Sequence, residues 1–128
     1  MKTVLVFGTF DSLHAGHLYF LSQARGWGKR LVVSVARDEF VISVKGKTPE
    51  HGERSRIDRL RESGLADEVY LSDPVPGSYG ILRKVRPDLI CLGYDQEALE
   101  ESLRSWLERR RWLIPLVRLE RRPEWSYC

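Results

Sequence analysis

Residues 4–24 read VLVFGTFDSLHAGHLYFLSQA. The apolar run Val4–Phe7 leads into the turn Gly-Thr-Phe-Asp, and two histidines, His14 and His17, bracket the start of an amphipathic stretch near Gly16. An apolar run without polar alternation is typical of a strand buried on both faces, whereas an amphipathic stretch predicts a helix. These residues therefore predict a buried strand, a sharp turn and a helix in succession.

The rest of the chain repeats this alternation of short apolar runs and helical patterns. We predict strands at Val4–Phe7, Leu31–Ala36, Glu68–Leu71, Leu89–Leu92 and Ile114–Leu119, and helices at Gly16–Gly26, Arg54–Ser63, Ser78–Val85 and Gln96–Arg111. Crossovers between parallel strands are right-handed, which places helices on both faces of the sheet. The prediction is an α/β fold with an open, five-stranded parallel sheet, in a single domain spanning residues 1–128.

Composition limits the class of protein. The 128 residues carry 21 Lys and Arg against 18 Asp and Glu, a net charge of +3, which argues for a globular chain rather than a disordered or membrane one. The first apolar run is too short for a signal peptide or a membrane span, so we expect a cytoplasmic protein. We expect Cys91 and Trp106 to be core residues. The arginine-rich segments SLRSWLERRRW and RLERR favour a solvated surface first, phosphate-rich ligands second and nucleic acid last.

The first strand-to-helix junction is a candidate ligand site. In open parallel sheets, ligands bind at the carboxyl ends of the strands, where N–H groups at a helix N-terminus favour anions. His14 and His17 can donate hydrogen bonds there, and we expect Gly8 to permit the turn and Gly16 to leave room for a flat ligand. The residue types alone leave open a phosphate site, a structural pair and a metal pair, the last least favoured because the glutamate of the zinc-binding helix motif is missing.

A second candidate segment, VARDEFVISVKGKTPEHGERSR, follows the second predicted strand. Asp38 lies where a carboxylate could contact a ligand such as a ribose, although it could equally cap the following segment. Lys45 lies in a Lys-Gly-Lys loop and could contact a phosphate, or it could be solvated surface.

A third candidate segment, LGYDQEALE, follows the fourth predicted strand. Gly93 permits a close approach to the backbone, and the next three residues offer a ring and hydrogen-bond partners to a nucleobase: Tyr94, Asp95 and Gln96. The alternative for Asp95 is a structural one, as the N-cap of the long helix that follows.

These segments together carry a family resemblance. GTFDSLHAGH resembles the nucleotide-binding signature of the cytidylyltransferase-like nucleotidyltransferases, in which His-x-Gly-His follows a strand and a Gly-x-Phe-Asp turn. VARDE, KGKTP and LGYDQ resemble the archaeal-type FAD synthases, which transfer AMP from ATP to FMN. Glycerol-3-phosphate cytidylyltransferases share the scaffold but resemble these three segments less. The resemblance implies a Rossmann-like domain of the HUP type.

The resemblance also implies roles for individual residues. His14 and His17 would bind the triphosphate and stabilise the charge that develops on the leaving pyrophosphate, Lys45 would contact a phosphate, and Mg²⁺ would accompany the triphosphate. Nucleotide contacts would come from Gly8, Thr9, Phe10, Asp11, Gly16, Gly93, Tyr94, Asp95 and Gln96. Arg56 matches the family's arginine at the start of the next helix, although Arg54 is close by, and it would be catalytic together with His14, His17 and Lys45. Asp38 and Arg118 would serve the acceptor.

One segment departs from the family pattern. The Ser/Thr-rich turn after the last strand is replaced by RLERRPEWSYC, in which Arg121 or Arg122 could take its role. The leading hypothesis is therefore transfer of AMP from ATP to FMN, giving FAD and pyrophosphate. The alternatives are a CTP-dependent cytidylyltransferase acting on glycerol 3-phosphate or a similar polyol phosphate, and a nucleotide-binding protein without turnover. We expect no nucleic-acid or membrane partner, and a homodimer is possible.

Overall fold

The computed structural model describes residues 2–120 as a parallel sheet covered by helices. Its strands are β1 (Thr3–Gly8), β2 (Arg30–Val35), β3 (Glu68–Leu71), β4 (Leu89–Leu92) and β5 (Leu116–Arg118). Its helices are α1 (Ala15–Arg25), α2 (Asp38–Lys45), α3 (Glu53–Ser63), α4 (Ile81–Val85) and α5 (Glu97–Arg109). Residues Arg121 and Arg122, predicted to replace the hydroxyl-rich turn, lie outside the described part of the chain.

The sheet has the strand order β3-β2-β1-β4-β5, and every neighbouring pair is parallel. The chain adds strands on one side of β1 and then crosses to add β4 and β5 on the other side. The strand order therefore reverses between β1 and β4, which is where ligands of such sheets bind. The five-stranded parallel sheet predicted from the sequence is confirmed.

Two apolar clusters lie on opposite faces of the sheet. On one face, Leu21 of α1 and Leu60 of α3 pack against β1 and β2 residues such as Val4. On the other face, α4 and α5 pack against Leu5 and its neighbours. Successive strand side chains point to opposite faces, so short runs of apolar residues supply both clusters.

The predicted core residues of the later elements are confirmed. Trp106 is 2 % exposed, and Cys91 is fully buried in β4. Burial raises the pKa of the Cys91 thiol to about 11, which leaves it protonated and unreactive at neutral pH. No helix among residues 2–120 is long and apolar enough to cross a membrane.

The helix α2 was missed by the sequence analysis, which placed Lys45 in a loop. Its sequence DEFVISVK contains the β-branched residues Val41, Ile42 and Val44, and of its residues only Val41 is buried, so no helical apolar stripe was visible. The helix ends at Gly46, whose φ of 72° is left-handed. Lys45 therefore occupies the last turn of a helix.

Candidate active site

A pocket at the carboxyl edge of the sheet brings most of the predicted site residues together. We call it the histidine pocket; its volume is about 590 Å³, and it lies above β1 and β4. The predicted residues that line it are Gly8, Thr9, Phe10, Asp11, His14, Gly16, His17, Lys45, Gly93, Tyr94, Asp95 and Gln96. The chain reverses its strand order at this point, so three segments far apart in sequence meet here.

His14 is the N-cap of α1. Its Nδ1 accepts hydrogen bonds from the backbone N–H groups of Gly16, at 3.0 Å, and His17, at 3.3 Å. Two N–H groups that we expected to bind an anion are therefore satisfied by the imidazole, which is a correction to the sequence analysis. Because Nδ1 accepts, the proton of the neutral ring lies on Nε2, which can donate to a ligand.

Gly16 is required by the position of this imidazole. A Cβ at Gly16 would lie 2.9 Å from Cε1 of His14. We expected the glycine to leave room for a flat ligand, and that expectation is wrong because the room is filled by the His14 ring. Gly16 thus allows its neighbour to cap the helix and to aim Nε2 outward.

His17 lies against His14 on one side and the core on the other. The two imidazoles stack with ring centroids 3.8 Å apart and an interplanar angle of 18°. Nδ1 of His17 lies within hydrogen-bond distance of the Ser12 carbonyl oxygen. An acceptor there requires Nδ1 to carry the proton, so Nε2 of the neutral ring has a free lone pair.

Burial lowers the pKa of His17, and the neighbouring His14 and Lys45 lower it further, whereas the Ser12 carbonyl opposes them. The ring is consequently neutral at pH 7. It can donate a hydrogen bond through Nε2 only after a proton is added, and an anion bound beside it would favour that proton.

Phe10 fixes the turn between β1 and α1. Its backbone is left-handed, with φ of 52°, and its side chain is 4 % exposed. The ring contacts His17 edge-on at 5.3 Å between centroids. It also fills the space over Gly8, where a Cβ would lie 2.6 Å from the Phe10 ring. Gly8 is therefore needed for the packing of Phe10, which in turn supports His17.

Arg56 lies beneath the histidine pocket and is fully buried. Its guanidinium donates to the carbonyl oxygens of Thr9 at 2.9 Å, Ala36 at 2.7 Å and His51 at 3.0 Å. It also pairs with Asp38 at 2.7 Å. These bonds join the ends of β1 and β2 to the start of α3. Arg56, expected as a catalytic residue, therefore positions the floor of the site instead, because its guanidinium is buried and engaged by backbone carbonyls and Asp38. Its neighbour Arg54 is exposed, which separates the two arginines.

Asp11 holds the loop between α2 and α3 against the turn. Its two carboxylate oxygens accept from the N–H groups of Glu50 and His51, each at 2.8 Å. Burial alone would raise the pKa of Asp11, but these two hydrogen bonds, with the positive charge of Arg56, bring it below its ordinary value. The carboxylate therefore orders the turn.

Gln96 bridges β1 and β4 where the strand order reverses. Its Oε1 accepts from the N–H of Gly93 at 2.8 Å, and its Nε2 donates to the Phe7 carbonyl at 2.9 Å. Gln96, and not Asp95, occupies the N-cap position of α5, without a capping side-chain bond. The Gln96 amide is thus largely committed to the backbone, which leaves Tyr94 and Asp95 as the more exposed groups of this segment.

Comparison with known proteins decides the family. The Cytidylyltransferase-like family model matches residues 5–126 of the chain. This chain belongs to the cytidylyltransferase-like family. It is 44% identical over 106 residues to the FAD synthase of Thermococcus onnurineus, covering 80% of this chain and 71% of that protein. It is 39% identical to the FAD synthase of Methanosarcina barkeri, covering 100% of this chain and 90% of that protein.

Solved structures agree with the fold of a cytidylyltransferase-like protein. A protein from Thermoplasma volcanium, described as a lipopolysaccharide core biosynthesis protein, superposes with a TM-score of 0.87 at 33% identity. The match covers 96% of this chain and 99% of that one. The pantothenate synthetase of Thermus thermophilus superposes with a TM-score of 0.62 at 16% identity, covering 93% of this chain and 55% of that one, which shows a shared fold only.

Two residues expected to bind the acceptor do not line the histidine pocket of this cytidylyltransferase-like protein. Asp38 is the first residue of α2 and is paired with Arg56. Arg118, at the end of β5, donates to Glu100 of α5 at 2.8 Å and lies 3.6 Å from Glu97. Asp38 was expected there as a carboxylate after the second strand and Arg118 from the family resemblance, and in both cases a side chain from another element engages the charge.

A second cavity was missed by the sequence analysis. We call it the β2–β3 cavity; its volume is about 610 Å³, and it shares the four residues Phe7, Gly8, Thr9 and Gln96 with the histidine pocket. Its remaining lining comes from the end of β2, from α2, from the loop after β3 and from α5, and includes Ser34, Phe40, Pro74, Pro76, Tyr79 and Leu99. These residues form no sequence motif, because they meet only after the sheet has formed.

Proposed function

We propose that this protein transfers AMP from ATP to FMN, forming FAD and pyrophosphate. The observation that carries the proposal is the convergence of His14, His17 and Lys45 on one pocket at the point where the strand order reverses. These three side chains can donate hydrogen bonds to phosphate oxygens, as the binding of a triphosphate requires. Relatives at 35% to 44% identity that are named FAD synthase support FMN as the acceptor.

The reaction needs charge stabilisation more than proton transfer. An oxygen of the FMN phosphate attacks the α-phosphorus of ATP, a new P–O bond forms, and the bond between the α-phosphorus and the α,β-bridging oxygen breaks. The electron pair of that bond leaves with pyrophosphate. Because the attacking phosphate is already ionised, no strong general base is required, and the protein acts by positioning two anions and stabilising the leaving one.

The two histidines would act in different protonation states. His14 donates Nε2–H as a neutral imidazole, because its Nδ1 accepts the N–H groups of α1. His17 is neutral in the free protein and has Nδ1–H directed to Ser12, so it becomes a donor to phosphate only as an imidazolium. Binding of the triphosphate is therefore coupled to uptake of a proton at His17.

Lys45 would supply a mobile cation from the C-terminal turn of α2. Its side chain is exposed, and it lines the same pocket as the two imidazoles. An ammonium on a flexible stem can follow the phosphates as charge moves from the α-phosphorus to the leaving pyrophosphate. Tyr94 and Asp95, on the β4 side of the pocket, would contact the nucleoside.

Mg²⁺ would enter as part of the nucleotide substrate. Among residues 2–120, no group of three or more His, Cys, Asp and Glu side chains forms a metal site. Magnesium in nucleotide sites commonly keeps several waters and uses one or two carboxylates besides the phosphates. Asp95, which lines the pocket, fits that requirement, whereas both oxygens of Asp11 already accept backbone N–H groups.

The proposal is tested by pairing nucleotides with acceptors. Purified protein is incubated with Mg²⁺, each of ATP and CTP, and either FMN or glycerol 3-phosphate, and flavins and pyrophosphate are quantified. We expect FAD and pyrophosphate in equal amounts with ATP and FMN. Pyrophosphate released only from CTP with glycerol 3-phosphate would assign the cytidylyltransferase reaction instead, and nucleotide binding without turnover of any pair would assign a binding protein.

A further inference from the structure

The β2–β3 cavity opens on the face of the sheet covered by α4 and α5. Ser34 of β2 pairs with Phe7 of β1 and with Tyr70 of β3, one position before β2 ends. It lies two residues beyond Val32, whose side chain belongs to the cluster on that face, so the Ser34 side chain points the same way. The cavity thus enters the sheet from its carboxyl edge, and Ser34 lies in its lining.

The hydroxyl of Ser34 has no partner. The residue is 1% exposed, and its Oγ is buried without any hydrogen bond among the described residues. Burying an unpaired hydroxyl destabilises a fold, and an alanine at this position would avoid the cost. A buried, unpartnered donor and acceptor in the lining of a cavity points to a polar atom of a ligand as its partner.

The other walls of the cavity are aromatic and apolar. Phe7 and Tyr79 contact each other edge-on with ring centroids 6.0 Å apart, and the Tyr79 hydroxyl donates to Ser102 at 2.8 Å, which fixes that ring. Phe40 of α2 lines the cavity while 43% exposed, so part of its ring is available to a ligand. A volume of about 610 Å³ lies within the ordinary range for small-molecule sites.

We propose that the β2–β3 cavity binds the isoalloxazine ring of the acceptor and that the Ser34 hydroxyl hydrogen-bonds a heteroatom of that ring. This inference rests on the proposed FMN adenylyltransferase function. A flat ring with an apolar edge and a nitrogen- and oxygen-bearing edge matches aromatic walls with one unpaired hydroxyl. A polyol phosphate has no ring to cover Phe40 or to fill the apolar walls.

The connection between the two pockets supports this assignment. The four residues that they share lie at the end of β1 and the start of α5, beside the imidazoles. An acceptor with its ring in the β2–β3 cavity can therefore extend its phosphate past Gly8 and Thr9 into the histidine pocket. Ser34 is then a specificity-determining residue, distant from the reacting phosphates.

The test separates acceptor binding from nucleotide binding. We expect Ser34→Ala to raise the KM for FMN by about three- to tenfold, the loss of about one hydrogen bond, with the KM for ATP and the kcat nearly unchanged. Its melting temperature should equal or exceed that of the wild type, because the buried unpaired hydroxyl is removed. Ser105→Ala, an exposed position on α5, is the matched control and should change neither constant.

A second variant probes the wall of the cavity. Phe40→Ala should raise the KM for FMN without lowering stability, since Phe40 is partly exposed. An unchanged KM for FMN in both variants, or an equal rise in the KM for ATP, would overturn the assignment. If the wild type forms no FAD, the proposed function fails, and quenching of FMN fluorescence then tests the cavity alone: binding weakened by Ser34→Ala supports it, and binding independent of Ser34 contradicts it.

Discussion

The histidine pocket and the β2–β3 cavity lie side by side but are built in different ways. The first is polar and takes most of its lining from one continuous stretch, from Phe7 to Phe20, with Lys45 and residues 93–96 added. The second is mostly apolar and draws on strand ends, a helix and a loop that are far apart in sequence. Under the proposed function, recognition of the triphosphate would be largely local in the chain, whereas recognition of the acceptor would depend on the assembled sheet.

The largest expected effect comes from removing the residue that supports both regions. Arg56→Met should lower the free energy of unfolding by about 3 to 5 kcal/mol, because three carbonyl oxygens and Asp38 lose a buried cationic donor. Thr9 lines both pockets and Ala36 lines the β2–β3 cavity, so the variant should weaken the binding of both substrates. Urea denaturation measures the loss. Arg54→Met, at an exposed neighbouring position, is the control and should stay within about 0.5 kcal/mol of the wild type.

A change confined to the histidine pocket should separate the two regions. His17→Ala should raise the activation free energy by about 2 to 4 kcal/mol, since one donor to the developing charge on pyrophosphate is lost. The KM for FMN should change little, in contrast to the effect of Ser34→Ala. Steady-state kinetics with each substrate varied in turn provides the measurement. Turnover close to that of the wild type would show that His17 has no part in the reaction.

A smaller effect is expected from filling the space beside His14. Gly16→Ala places a methyl group 2.9 Å from Cε1 of His14, so the imidazole must move and release the N–H groups that it caps. Loss of the cap should cost about 1 kcal/mol of stability, and ATP binding should weaken while FMN binding persists. Thermal unfolding and equilibrium titration with each ligand test this. Full retention of stability and ATP affinity would mean that the cap is dispensable.

The smallest expected effect is the pH dependence that His17 gives to the stability of the protein. The pKa of His17 lies below its usual 6.5 in the folded protein, so the unfolded state binds more protons as pH falls through 6.5. The contribution of His17 to stability is therefore complete above that pH and is lost as the pH drops towards the folded pKa.

The affinity for ATP should change with pH in the opposite direction to the stability. ATP binding adds a proton at His17, so between pH 8 and pH 7 the affinity for ATP should rise as pH falls. Titration calorimetry in buffers of different ionisation enthalpy measures the proton uptake, which His17→Ala should abolish. Equal proton uptake by the wild type and the variant would place the titrating group elsewhere.

The contrast between the two regions also explains what the sequence could and could not predict. Apolar runs and helical patterns predicted the strands and four of the helices. The segment GTFDSLHAGH predicted the histidine pocket, because its interactions are mostly local. Asp38 and Arg118 were expected at the acceptor, but their partners, Arg56 and Glu100, come from other elements. Ser34 could not be predicted as a site residue, because a single serine in a buried strand belongs to no sequence motif. Its unpaired hydroxyl and its place in the cavity lining are known only from the folded chain.

Lys45 and Gly16 show intermediate cases. Lys45 lines the histidine pocket, but it lies in a helix and not in the predicted loop, because the β-branched residues of α2 masked a helix. Gly16 was recognised as a position that needs space, but the ring that uses the space is that of His14. The sequence thus indicated a lysine at the pocket and a glycine that leaves space, whereas the folded structure shows which helix holds the lysine and which ring fills the space.

In the proposed reaction, the adenylyl group of ATP is transferred directly to the phosphate of FMN in the histidine pocket. This transfer is tested most directly with ATP labelled with ³²P at the α-phosphorus, Mg²⁺ and FMN, followed by chromatography of the flavins. We expect the label to appear in FAD with release of unlabelled pyrophosphate, and His17→Ala to lower the rate about 30- to 1,000-fold. Label that never enters a flavin, although the nucleotide binds, would contradict the proposed reaction.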